Sequence, residues 1–210
     1  MKLDVLNPHA IKIIIAARSQ DSILAISRRI GLSYGWTYKW CVELDSAGIL
    51  KKSGKKIFLN EKSPLYKKML SFLRSVFSDD VSFHYSVLKL FGIKYCFTGS
   101  DAVFVWTDGG YNIARSRSHY PIFIKVASSD RQIFEYYVKK LGLKGRIHYM
   151  PVFLESFSFH SHNKMPVDSL DETIVFMKKY IYNFQPALEM IQDMYGKKIG
   201  IRYKEVKTNA

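Results

Sequence analysis

Four lysines, Lys51, Lys52, Lys55 and Lys56, bracket Ser53-Gly54 in one short segment. An ammonium group pairs naturally with a phosphate oxygen, and a cluster of them on a tight turn can follow a nucleic-acid backbone. Just upstream lie Ser33, Tyr34, Trp36, Tyr38 and Lys39. Their hydroxyls, rings and ammonium are groups that reach phosphates or base edges. Arg28 and Arg29 close the segment before them and can also touch a backbone. A second basic run, Arg115-Ser116-Arg117-Ser118-His119, sits in a polar loop. It could extend the same surface through Arg115 and Arg117, grip an acidic partner, or simply stay solvated.

Other chemistry is thinner. His160 and His162, with His119 or His148, have no Asp, Glu or Cys at supporting spacing, so they read as solvated or hydrogen-bonded rather than as metal ligands. Cys41 has no His or Asp placed to activate it and reads as a core thiol. Neither Cys41 nor Cys96 lies in a CxxC, which fits a reducing, cytoplasmic setting. No catalytic residue, metal ligand or cofactor is assigned. The chain has 210 residues and a formal net charge of +14. Residues 1–78 hold fourteen Lys/Arg and five Asp/Glu, and the remainder eighteen and thirteen, so the excess is concentrated in the first part. Aromatics at 15% exclude a disordered basic tail. No uncharged apolar run reaches the roughly 18 residues of a membrane span.

The elements that must position the basic residues follow from caps and spacing. Asn7 and Pro8 start a helix over 8–17. Asp21 or Ser22 caps a second, ended by Gly31. Ser33 caps a third, running to about Ala47, whose Thr37, Trp40, Cys41 and Leu44 form one buried stripe. Tyr34, Trp36, Tyr38 and Lys39 then face outward, and Gly35 leaves room for a close backbone approach. Two roles fit Trp36 and Tyr38: contact with a ligand, or packing on a neighbouring domain. Ile49-Leu50 and Ile57-Phe58-Leu59 flank the lysine turn as a hairpin.

The string IGLSYGWTYKWCVELDSAGILKK resembles winged helix-turn-helix transcriptional regulators, over about residues 8–60. The resemblance implies that the third helix enters the major groove of double-stranded DNA and that the lysine hairpin is the wing. The domains expected are a winged helix at 1–62, a connecting helix at 63–78 and a second domain at 79–210. The connecting helix presents Leu65, Met69, Phe72, Leu73 and Val76 on one face, for homodimerisation or for docking on the second domain.

The second part alternates strands and helices, which gives an α+β chain overall: a winged helix followed by a small mixed α/β domain. The order of strand 94–97, Thr98-Gly99-Ser100-Asp101, helix, polar loop and strand 121–126 resembles the nucleotidyltransferase fold. More narrowly, YCFTGSDAVFVW, PIFIKV and MPVDSLDETIVFM resemble AbiEi-type abortive-infection antitoxins and related archaeal and bacterial regulators. Active nucleotidyltransferases follow Gly-Ser with carboxylates that hold magnesium. Here the corresponding strand reads Ile122-Phe123-Ile124-Lys125, so the resemblance implies a domain that has lost catalysis. The expected function is a sequence-specific DNA-binding regulator, an antitoxin-like autorepressor with a toxin-like protein partner. The alternatives are a divergent nucleotidyltransferase acting on RNA or protein, and a winged helix used for protein contact.

Overall fold

The computed structural model describes residues 7–113, 115, 116 and 118–200. The chain is mixed α+β with two sheets, and it divides into two compact units. The first takes residues up to Ile93 together with Asp130–His148; the second takes Lys94–Ser129 and the chain from Tyr149 on.

The first unit opens with α1 (Pro8–Ala16), β1 (Gln20–Ser22), α2 (Ile23–Ile30) and α3 (Tyr34–Ser46). Each helix starts on a side-chain cap: Asn7 accepts from the His9 N–H, Ser22 from Ala25, and Ser33 from Trp36. These bonds satisfy N–H groups that a helix start leaves without partners. Ile13, Ile14, Ile23, Ile26 and Leu44 are fully buried between the three helices. β2 (Leu50–Ser53) and β3 (Lys56–Leu59) form a hairpin, and β1 adds to its far side, giving the order β1-β3-β2. Gln20 and Asp21 are thus part of a strand, paired with Phe58 and Ile57, and the cap of α2 is Ser22. Three residues carry too little periodicity to announce a strand.

α4 (Pro64–Phe77) and α5 (Val81–Val87) follow. α4 buries Tyr66, Met69 and Leu73, whereas Phe72 and Val76, expected on one apolar face with Met69 and Leu73, are exposed. The large Tyr66 ring takes the inner position because α4 packs on α7 (Arg131–Leu141). Sequence order suggests placing α7 in the second domain, yet it belongs to the first unit. Its Tyr137 stacks on Phe91 at 4.4 Å and donates its hydroxyl to the Ala16 carbonyl.

The second unit is a sheet of order β6-β5-β4-β8-β7: β4 (Tyr95–Phe97), β5 (Tyr120–Ala127), β6 (Ile147–Leu154), β7 (His160–His162) and β8 (Met165–Val167). β4 runs antiparallel to β5 and parallel to β8. The helices are α6 (Gly99–Trp106), α8 (Leu170–Lys179) and α9 (Ile181–Tyr195). Gly99-Ser100-Asp101 forms the first turn of α6 rather than a separate turn before it. α8 starts on a capping box: Ser169 accepts the Glu172 N–H, and the Glu172 carboxylate accepts the Ser169 N–H. Among the described residues no helix is long and apolar enough to cross a membrane.

Candidate nucleic-acid interface

The outward face of α3 is built as its stripe demands. Thr37, Trp40, Cys41 and Leu44 are buried. The intervening residues therefore point to solvent: Trp36 is 52% exposed, and Tyr34 and Tyr38 are each 40% exposed. Ser33 is committed to the fold, because its hydroxyl accepts the Trp36 N–H and its carbonyl accepts the Thr37 hydroxyl. Lys39 lies over the Trp36 ring at 5.1 Å, and Tyr34 and Tyr38 sit 6.2 Å apart. Gly35 is exposed, and nothing within 4 Å would meet a Cβ added there.

The hairpin joins this face. Lys52 reaches over the Tyr38 ring at 5.0 Å, which makes α3 and β2 one cationic and aromatic surface. Its position is fixed from below: the Lys52 N–H donates to the Asp45 carboxylate at 3.0 Å, and the Asn60 amide donates to the Gly48 carbonyl. The reversal itself is shorter than the expected 51–56. Lys51 and Lys52 lie in β2 and Lys56 in β3, leaving Gly54 and Lys55 at the tip. Gly54 has φ +59°, a conformation glycine adopts without a Cβ clash. The Lys55 carbonyl accepts the Ile23 N–H, which ties the tip to the start of α2. Arg28, Lys39, Lys51, Lys55 and Lys56 are exposed, and none has a carboxylate partner among the described residues.

Two expected contacts are corrected. Arg29 is not on this surface. Its guanidinium is 8% exposed and pairs with Asp21, itself 6% exposed. A Cβ on Gly92 would lie 2.6 Å from the Arg29 side chain, so the stem is packed too. Adjacent helical residues point about 100° apart, so Arg28 faces out while Arg29 faces in. Arg115 is likewise inside: it pairs with the fully buried Asp101 at 2.6 Å and lies over the Tyr120 ring at 4.5 Å. A buried carboxylate needs a cation, and the loop supplies it. Arg117 lies outside the described residues.

In the second unit, strand and helix ends gather a polar cluster that sequence reasoning did not assemble. Asp168, at the end of β8, accepts from Thr98 at 2.5 Å and from Lys125 at 2.7 Å. The Cys96 thiol lies 3.3 Å from the same carboxylate. Burial lowers the Lys125 pKa, and the bond to Asp168 more than offsets that, so it ends above its usual value. Burial, then the Asp168 charge, raises the Cys96 thiol well above its usual value. Asp101 takes the Phe123 N–H at 2.7 Å besides Arg115. The pairing of Lys125 with Asp168 could not be seen from their separation in sequence. Elsewhere, His162 bonds Asp108 at 2.7 Å and its ring lies tilted against Trp106, 4.7 Å between centroids. Cys41 is in the core, where burial first and Asp21 second push its pKa up to about 12. Among the described residues no three His, Cys, Asp or Glu side chains gather as a metal site.

No protein-family model, curated protein or solved structure matches the chain.

Proposed function

We propose that residues 8–59 form a winged helix and that the protein is a sequence-specific, duplex-DNA-binding transcriptional regulator. The order α1-β1-α2-α3-β2-β3, with β1 closing the hairpin into a three-stranded sheet, supports the winged-helix reading. One observation carries the DNA reading: the exposed Tyr34, Trp36, Tyr38 and Lys39 of α3 run directly into Lys52 of the hairpin. α3 would enter the major groove by its first turns, where the bare Gly35 backbone lets the helix sit close. Lys51, Lys55 and Lys56 would follow the phosphates, with Arg28 on the adjoining backbone.

In this reading the second unit is a nucleotidyltransferase-like domain used for partner binding rather than catalysis. Asp168 and Asp101, the carboxylates next to the Gly99-Ser100 turn, are each taken up by a cation of the chain itself, Lys125 and Arg115. The antitoxin-like autorepressor role, with a homodimer and a toxin-like partner, extends the same proposal.

A gel-shift with the DNA upstream of the protein's own coding sequence, against scrambled duplex of equal length, tests it. Preference for the upstream duplex that survives physiological salt supports regulation. No duplex preference, with labelled nucleotide incorporated in the presence of Mg²⁺, would instead favour the enzyme alternative.

A further inference from the structure

The first unit contains a cleft of about 490 Å³ that the DNA-facing surface does not use. Its walls come from α4, α7 and the chain flanking the hairpin sheet at Ser19 and Glu61. The volume is that of a small-molecule site.

One wall is cationic. Lys67 and Lys139 are exposed and have no ion-pair partner among the described residues. Arg74 gives Nε and Nη2 to the carbonyls of Lys139 and Lys140. Its Nη1 has no partner there and remains able to donate. Tyr66 is 4% exposed, and its hydroxyl has no hydrogen-bond partner among the described residues. The hydroxyl keeps access to the cleft, where it is free to bond a ligand. The remaining walls differ. The Tyr136 ring and Leu70 offer a flat apolar surface, and Glu61, which accepts the Ser19 hydroxyl at 3.2 Å, offers a carboxylate.

We infer that this cleft binds a nucleoside phosphate as an effector. The phosphates lie against Lys67, Lys139, Arg74 and Tyr66. The base lies on Tyr136, and the ribose hydroxyls donate to Glu61. Simple polyanions match only the first wall. A plain aromatic acid, its carboxylate on the cationic wall, leaves Glu61 without a donor. The nucleoside phosphate is the class that uses every wall, and the inference does not depend on the DNA-binding reading.

The test is calorimetric titration of the full chain, in metal-free buffer, with each ribonucleoside triphosphate and with pyrophosphate. At least one nucleotide should bind, and pyrophosphate about tenfold or more weakly for want of a base. Lys67→Ala/Lys139→Ala and Tyr66→Phe should each weaken that nucleotide about tenfold, since charge-assisted and buried bonds are lost. Lys55→Ala/Lys56→Ala should leave it unchanged. Absence of binding, equal binding of pyrophosphate, or equal loss in the hairpin variant overturns the assignment. Should Tyr66→Phe unfold the chain, the exposed lysine pair still decides the matter.

Discussion

Arg74 donates its Nε and Nη2 to the backbone carbonyl of Lys140, at 3.1 and 2.8 Å, and so caps the C-terminal end of α7. The Lys140 ammonium in turn donates to the carbonyls of Ile14, Ile15 and Ala17, at 2.6, 3.0 and 2.5 Å, and caps α1. Two cationic caps in series tie α4 to α7 and α7 to the first helix beneath the hairpin sheet. Helix C-termini leave carbonyls without intrahelical partners and favour positive charge, so both bonds answer a need of the backbone.

Lys140→Met should lose about 2–4 kcal/mol, because three carbonyls lose their donor. Burial, reinforced by Arg29 and opposed by Glu61 and Asp21, brings the Lys140 pKa from 10.5 to about 7. Below pH 7 the folded and unfolded chains both carry this proton. Above it the unfolded chain holds more, so this group makes stability rise with pH. Urea unfolding of both proteins at pH 6.5 and 8.5 checks the sign. The gap between wild type and Lys140→Met should widen at the higher pH.

Neighbouring arginines on α2 should behave as opposites. Arg29→Ala leaves the buried Asp21 charge without its cation and should cost about 3 kcal/mol. Arg28→Ala should change stability by less than about 0.5 kcal/mol and weaken DNA binding instead. Thermal melts beside anisotropy titrations separate the two effects.

Arg115→Ala should be destabilising by about 3–5 kcal/mol, since Asp101 is fully buried. Its consequence for DNA should be no larger than the lost folded fraction explains. Reduced binding at full folding would show that the loop does reach DNA.

Gly35→Ala separates fold from function by sign. The site is open, so the fold should gain up to about 1 kcal/mol. DNA affinity should fall as the added methyl holds the helix off the groove. Melting temperature and anisotropy on the same sample give both readings.

The helices of the first unit were legible in the sequence because their caps and stripe are local. Asn7, Ser22 and Ser33 each sit where an N-cap must, and Thr37, Trp40, Cys41 and Leu44 keep helical spacing. β1 and β8 were not legible, since each has only three residues; β1 is held by the distant β3, and β8 by the distant β4 as well as by its hairpin neighbour β7. The turn between β7 and β8, Asn163-Lys164, carried half a signal: both residues adopt positive φ, as a two-residue hairpin requires, but only asparagine favours it. Side-chain direction was the harder matter. Arg28 and Arg29 are chemically identical, and only the helix phase against Asp21 divides them. Lys140 could have been noticed three residues after Tyr137, at the flank of α7's apolar stripe, where a charge must find carbonyls or leave the core.

Salt dependence of binding to a selected duplex tests the central claim most directly. With about six phosphate contacts from α3, the hairpin and Arg28, log affinity should fall against log salt with slope roughly −5. Lys55→Ala/Lys56→Ala should make that slope shallower by about 2 while the melting temperature holds. A slope near zero, or one that the hairpin substitutions leave untouched, would contradict the assignment of this face to DNA.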